Sequence, residues 1–552
     1  MTTAPLRLSA LLAALALAAP ASADTLYVDA NLVTGLGDGT SWADAYQGAG
    51  GLTAALAAAT SGDEVFVADG TYMASSSGDR TASFALANGV TLYGSFAGGE
   101  ASPDDRPPFG TADSILTGDL NGDDGGANFG DNSLHVITTA GTDSTAVIDG
   151  FVVTSGNANL SGGNRDRGAG ILCLGNVSPT VRNCRFLANR CTFGGAAGYI
   201  NNGGAPTFTN CTFEDGVGGS FGGAFDIAGG GAVRFDRCLF RGNRAARAGA
   251  LELFSSSGVV VNSCVFVDNT ATGASGGGAI WLGSGGGARV RNSTIVSNTA
   301  SNQANGGIRN QGVTNFRVLN SILWDNTGVG GLQDPAAQVN AGTLVFHSLV
   351  QGGFAGTGNV DGDPDFADAA NLDFTPGPTS PVIDAGDNAQ VFGPTTVDYA
   401  GNPRLADVLG VADTGSGGAP LVDMGALEYP SAWVDQGSAL AGTSGDPDLF
   451  MTGDLSPLSS NTATLSNAAP SALAVVIGGF SFAGVPLEGG TLVPTPDVIL
   501  FFNTNAAGTL ALPFTWPDNL PSEFETWYQI WVQDAGGPLG YAASNGIKGI
   551  TP

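Results

Sequence analysis

Between residues 180 and 325 apolar and polar positions alternate over only three or four residues at a time, and the whole pattern then recurs. Six segments align without gaps: 181–186 (VRNCRF), 208–213 (FTNCTF), 235–240 (FDRCLF), 261–266 (VNSCVF), 290–295 (VRNSTI) and 318–323 (VLNSIL). Their fourth positions, Cys184, Cys211, Cys238, Cys264, Ser293 and Ser321, lie 27, 27, 26, 29 and 28 residues apart. A fixed period of this size is the mark of a solenoid in which each repeat is one coil. The first, fourth and sixth columns are Val or Phe, Cys or Ser, and Phe, Ile or Leu. Such side chains point inward and stack on their counterparts one strand spacing away, about 4.8 Å. Phe186, Phe213, Phe240 and Phe266 form one expected stack, and the four cysteines another.

The third column is Asn183, Asn210, Asn292 and Asn320, with Arg237 and Ser263 in the other two coils. Asparagine tolerates the left-handed backbone that a tight corner needs, and its amide can bond to the asparagine above and below. A second asparagine follows three residues after the sixth column, at 189, 243, 269, 298 and 326, with Gly216 in the remaining coil. Glycine-led segments at 222–225, 277–281 and 306–308, and a weaker copy at 249–251, add a further strand per coil, each entered through a turn that suits glycine. Three short strands and three turns per coil describe a right-handed parallel β-helix. Irregular coils extend it upstream (64–67, 90–93, 147–153) and downstream (344–346), for about 12 coils and on the order of 55 Å. The segment from Leu26 caps the first coil, since an open edge invites aggregation. One short helix is predicted, over 52–59. From Pro364 to Pro430 the ladders stop and Pro and Asp increase, which reads as loops closing the C-terminal end of the rod. From Ser431 alternating apolar runs (474–477, 498–502, 509–512, 527–532) predict a small β-sandwich. The fold class is thus all-β, a parallel β-helix over 24–430 followed by a sandwich over 431–552.

Composition agrees and adds a compartment. Glycine accounts for 87 of 552 residues, charged residues for 12%, and Lys548 is the only lysine. Arg7 precedes an apolar run, Leu8 to Ala19, then Pro20 and small residues to Ala23, the form of a secretory signal peptide over 1–23. No later run is apolar for long enough to anchor in a membrane, so the mature chain is expected to be secreted or at the cell surface. The net charge of −30 argues against nucleic acid as a partner. Residues 160–320 nevertheless carry 14 arginines against seven acids, leaving a mildly basic middle between acidic flanks.

The segments 26–30 (LYVDA) and 39–43 (GTSWA), the Asn-Cys repeats, the Gly-Gly-Ala-Ile type strands, 381–386 (PVIDAG) and 422–429 (VDMGALEY) resemble secreted right-handed parallel β-helix proteins of the pectate-lyase-like superfamily, many of which carry a C-terminal anchor-type region. The Gly-Gly-Ala and Asn columns also resemble the repeats of polymorphic outer-membrane adhesins. The resemblance implies a fold and leaves two functions open, because the superfamily holds lyases, hydrolases and non-catalytic surface proteins. One is an exported, non-catalytic surface or matrix protein that binds glycans or adheres. The other is a calcium-dependent, pectate-lyase-like polysaccharide lyase with an arginine base.

Candidate chemistry is sparse, and no catalytic residue is assigned. Arg182, Arg185, Arg237, Arg241, Arg289 and Arg291, with Arg244 and Arg247, recur at similar coil positions, so a guanidinium stripe could bind the carboxylates or sulfates of an acidic polysaccharide. Ordinary ion pairing with Asp226, Asp236 and Glu252 is the competing reading. Calcium is the one cofactor suggested: Asp119, Asn121 and Asp123 open like an EF-hand loop but lack its glycine and closing glutamate, and Asp361, Asp363 and Asp365 alternate along a loop. The same residues also suit solvated turns. The cysteine column reads as stacked buried thiols whose Cβ vectors do not converge, while Cys173 and Cys191 stay open to a disulfide. His135 and His347 sit in apolar runs and are read as core residues. A lysine base on the rod is excluded, and the Gly-His-Gly and Arg-x-Lys segments of a polygalacturonase-type hydrolase are missing.

Overall fold

The computed structural model describes residues 23–551 except 127, 332–333, 392–395, 407, 409–410, 431 and 454; the expected leader, apart from its last residue Ala23, lies outside the described residues. Three parallel sheets run side by side along a right-handed β-helix. The first has twelve strands, from Tyr46–Gln47 at one edge to Leu344–Phe346 at the other; the second has ten and the third eight. Register follows the sequence columns: Val181 pairs with Phe208, Phe208 with Phe235, Phe235 with Val261, and so on to Val345.

The interior is built from those columns. Phe186, Phe213, Phe240 and Phe266 stack with ring centroids 5.3, 4.9 and 4.4 Å apart. All six cysteines are free and buried. The Cys-or-Ser column has a polar reason. The backbone N–H of Cys238 donates to Cys264 Sγ (3.3 Å), that of Cys264 to Ser293 Oγ (3.1 Å), and those of Ser293 and Ser321 to the next hydroxyl up. Only a small side chain with an acceptor fits there. Burial pushes the Cys184 and Cys238 thiols well above their ordinary range, which keeps them protonated and unreactive.

Two asparagine ladders turn the chain. At the corner between the first and second sheets, Asn183, Asn210, Arg237, Ser263, Asn292 and Asn320 all have φ between 46 and 53°. Asn210 Nδ2 donates to Asn183 Oδ1 (2.8 Å) and Asn320 Nδ2 to Asn292 Oδ1 (3.0 Å), while Asn262 substitutes for Ser263 as the acceptor from Asn292. The inner ladder is fully buried. Asn243, Asn269, Asn298 and Asn326 pass amide bonds of 2.9 Å from coil to coil, and each Nδ2 also caps a carbonyl of the coil below. Gln338, on a helical turn over Pro335–Gln338, ends the ladder at 2.7 Å from Asn326. The predicted helix forms over Gly51–Ala58 and buries Leu52 and Ala55 against the first coils.

One expectation is corrected. The chain after 364 does not simply close the C-terminal end; near that end Phe354 packs on the core and Val360 bridges to Leu349. The described residues between 366 and 428 run back along the outside of the later coils. Phe374, Ala426 and Leu427 cover Val265, Val267 and Val296, and Val382, Ala385 and Met424 cover Ile322 and Leu349. Arg404 fastens this strap from a fully buried position. It bonds Ser263 Oγ (3.0 Å) and the Asn292 carbonyl (3.1 Å) on the rod, and Glu428 (2.7 Å) with the Gly425 and Ala426 carbonyls on the strap. Pairing of a buried charge on both sides is what makes such a position tolerable. Beyond it, the described residues between 433 and 550 form antiparallel strands: a six-stranded sheet with Val498–Asn503 at one edge, a three-stranded sheet and a hairpin.

Because Asn298 serves both as acceptor for Asn269 and as donor to Asn326 and the Phe266 carbonyl, Asn298→Ala leaves several buried groups unpaired. The expected cost is about 2–4 kcal/mol, read as a lower urea midpoint, against less than about 0.5 kcal/mol for a surface control such as Asn302→Ala.

Candidate functional site

The first sheet's strand Thr91–Phe96 is followed by an irregular excursion, 97–111. A short turn over Pro103–Asp105, with Ser102 and Asp105 capping each other, folds it back on the rod. Arg106 pins it there, donating to the carbonyls of Pro103 (2.8 Å) and Gly94 (3.0 Å). A cleft of about 310 Å³ opens between this overhang and the corner at Asn183 and Asn210, with Phe109 exposed at its rim.

Asp149 is the buried centre of the cleft wall. It stands one coil before Arg182 in the same column. Arg182 Nε reaches its Oδ2 at 2.7 Å, Asn183 Nδ2 its Oδ1 at 2.8 Å, and Arg106 Nη2 its Oδ1 at 3.5 Å. Both guanidinium groups also lie over the Tyr93 ring, at 5.3 and 5.9 Å. Two cations thus share one carboxylate, and the Arg182 side chain remains 41% exposed toward solvent. Farther along the same corner the strap takes over: the Val397 carbonyl accepts from Ser263, that of Gln390 from Asn292 and that of Asp387 from Asn320. The corner is open to a ligand in the early coils and covered in the later ones.

The expected arginine stripe is corrected by this geometry. Arg185 and Arg241 flank Glu214 on the second sheet, at 2.6 and 3.7 Å, and Arg237 occupies the left-handed corner. Arg289 is exposed, but Arg291 is buried in the coils over which the strap runs. Arg247 pairs with Glu252 on the third sheet, and Arg244 is exposed on a separate short strand. The arginines are therefore spread over several faces, and none of the predicted set lines the cleft; Arg182 adjoins it through its ion pair with Asp149. Arg106, Asp149, Tyr93 and Phe109 were not anticipated, because 97–111 lies outside the repeat and nothing in its spacing places it beside residue 182.

The calcium candidates divide as well. Asp119, Asp123 and Asp124 converge, their ligand atoms within 4.8 Å of one another, whereas Asn121 is exposed and gives its backbone N–H to Asp119. Asp361, Asp363 and Asp365 accept separately from the Gly352 N–H, the Asp365 N–H and Thr379, and make no such group. His135 Nδ1 donates to the Gly168 carbonyl (3.0 Å), and burial lowers its pKa. The core reading of His347 is corrected: it is half-buried at the corner position above Asn320, with φ 44°.

A further cluster, on the outward face of the third sheet, stacks Tyr199, Asp226, Glu252, Trp281 and Arg309 one per coil. Arg167 lies over Phe193 and Tyr199, and Arg247 over Phe221 and Trp281, so each guanidinium is held between rings above the two acids. Burial, and then the Glu252 charge, push Asp226 up to about 7; burial raises Glu252 too, against the pull of Arg247. Asp226 binds a proton more tightly folded than unfolded, so the contribution is complete below pH 4 and is lost as pH rises toward and through 7. The rod should lose on the order of 2–4 kcal/mol between pH 5 and pH 8 from this group, read as a falling Tm, and Asp226→Asn should flatten that slope.

Comparison with known proteins bears on the fold. A family described as a right-handed β-helix region matches residues 129–340. No curated protein matches the chain. Among solved structures, a PL6-family alginate lyase, AlyGC, is similar at 14% identity over 62% of this chain and 54% of that one, with a TM-score of 0.18. The chain thus spans about half the length of that enzyme.

Proposed function

We propose that this is an exported β-helix scaffold that holds an acidic polysaccharide in the cleft beneath the 97–111 overhang and does not cleave it. The observation that carries the reading is the pair of guanidinium groups, Arg106 and Arg182, on the single buried carboxylate of Asp149. Their combined charge leaves this group one positive unit in excess, and the part-exposed guanidinium of Arg182, beside the cleft, keeps N–H donors for a carboxylate or sulfate. Asn210 and Thr212 supply further polar groups, and Phe109 offers an apolar edge for a sugar ring. The sign of this wall stands out against a chain of net charge −30, so a polyanion would be held locally and with marked salt dependence.

A lyase needs a free base beside carboxylates able to hold a cation over the substrate uronate. Among the residues lining the cleft Asp149 is the one carboxylate, and both its oxygens are engaged by Arg182 and Asn183. This donor set favours anion binding over bond cleavage.

Isothermal titration with polyuronate and sulfated glycan fragments tests the reading. Combined Arg106→Gln and Arg182→Gln should weaken binding about tenfold or more, and Phe109→Ala, which leaves Asp149 paired, should weaken it less. Unsaturated chain ends accumulating in the same mixtures would instead establish a lyase, and an affinity unmoved by all three substitutions would remove the cleft from the account.

A further inference from the structure

The second-sheet strand Ser114–Thr117 leads into a loop, 118–133, wound around one carboxylate. Asp119 Oδ1 accepts from the N–H groups of Asn121 (3.3 Å), Gly122 (2.7 Å) and Asp123 (3.2 Å), and its Oδ2 accepts from that of Asp124 (3.2 Å). This winding brings the carboxylates of Asp123 and Asp124 to that of Asp119, all within 4.8 Å. Three negative groups so close repel one another strongly, and among the described residues none of them forms an ion pair with Arg or Lys.

An independent observation comes from Asn132, which reaches the cluster from the other end of the loop. It is 1% exposed, and its Nδ2 donates to Asp124 Oδ2 (3.0 Å) and to the Ser155 carbonyl (2.6 Å), which holds the carboxamide against the acids. Its Oδ1 is buried without a hydrogen-bond donor. Asp123 Oδ1 and Asp124 Oδ1 are buried and undonated as well, although their Oδ2 atoms accept from Asn128 and Asn132. Hydrogen bonding inside the loop therefore satisfies one side of each group and leaves acceptor oxygens facing no donor. A buried acceptor in that state is costly. Oxygen-only donors from flexible carboxylates and a carboxamide are what a hard divalent ion of the size of calcium takes, at six to eight ligands with loose geometry.

We infer that the 118–133 loop is a calcium site whose protein ligands are the carboxylates of Asp119, Asp123 and Asp124 and the Asn132 carboxamide oxygen. The site is structural and separate from the cleft. Asn157, which bonds the Phe129 carbonyl, and Arg190, which lies 4.4 Å over the Phe129 ring, tie the same loop to the following coils. Closing the loop with an ion stabilises the rod by binding the folded state alone.

The test uses the full chain stripped with chelator and titrated with calcium chloride. Saturable uptake of one calcium ion by equilibrium dialysis is expected, with a Tm rise of about 3 °C or more and a smaller response to magnesium. Asp123→Asn with Asp124→Asn should abolish uptake and the Tm response while the far-ultraviolet dichroism stays that of the β-helix. Asn132→Asp, which keeps an oxygen at the site, should retain uptake; Asn132→Leu should lower affinity about tenfold or more. No uptake by the wild-type chain, or uptake that survives the double Asp substitution, overturns the assignment. Glycan titrations of the same variants separate this site from the cleft.

Discussion

Every coil of this rod must satisfy its buried polar groups with partners in the coils immediately before and after it, and that requirement governs the rest of the structure. A compact domain can close its backbone hydrogen bonds within one layer of strands, but a solenoid closes them only vertically. The Asn243–Asn269–Asn298–Asn326 ladder and the Cys-to-Ser column are two answers to the same demand, one at a turn and one in the core. Both work only if the register is held for each coil. This is why the spacing stays near 27 residues while the side chains around the columns vary.

The outward faces carry the variation. In the early coils the second sheet presents Arg185, Thr212, Glu214 and Arg241 to solvent. In the later ones it presents Val265, Val267, Val296 and Ile322, which would be exposed apolar surface on a bare rod and are covered by the strap instead. Arg404 joins strap and rod through one guanidinium whose donors are shared between the two. The motifs at 381–386 and 422–429 supply the carboxylates that belong to this seam. Burial pushes Asp423 up to about 6, and burial and the Asp423 charge raise Glu428 as well, against the pull of Arg404. These acids have a packing role, which separates them from the chemistry of the cleft.

The cleft exists because two departures from regularity meet. The 97–111 overhang stands over the early corner, and the strap covers the late one, so the polar corner is accessible only near Asn183 and Asn210. The same coils carry the excess of arginine. On the proposed reading, a weakly basic patch on a strongly acidic rod would select polyanions through sign and geometry, without requiring that any of its groups be a base.

The sequence by itself determined the repeat, the inward columns, the left-handed corners and the all-β class, because in a solenoid residues one period apart are obliged to be neighbours and the identity of Asn, Cys or Phe in a column is a direct record of its environment. It also held a clue to the strap: triplets such as Val265 to Val267 are apolar on both faces, as a strand covered on both sides must be. Which segment does the covering could not be read, since Arg404 lies 141 residues from Ser263 with no period connecting them. The cleft was equally hidden. Arg106 reaches Asp149 and Arg182 across an irregular excursion, and the third-sheet acids Asp226 and Glu252 look like ordinary polar positions until burial brings them together. Contacts along the stack are periodic and local to the repeat, whereas those made by excursions depend on the three-dimensional path of the chain, and tertiary structure alone decided them.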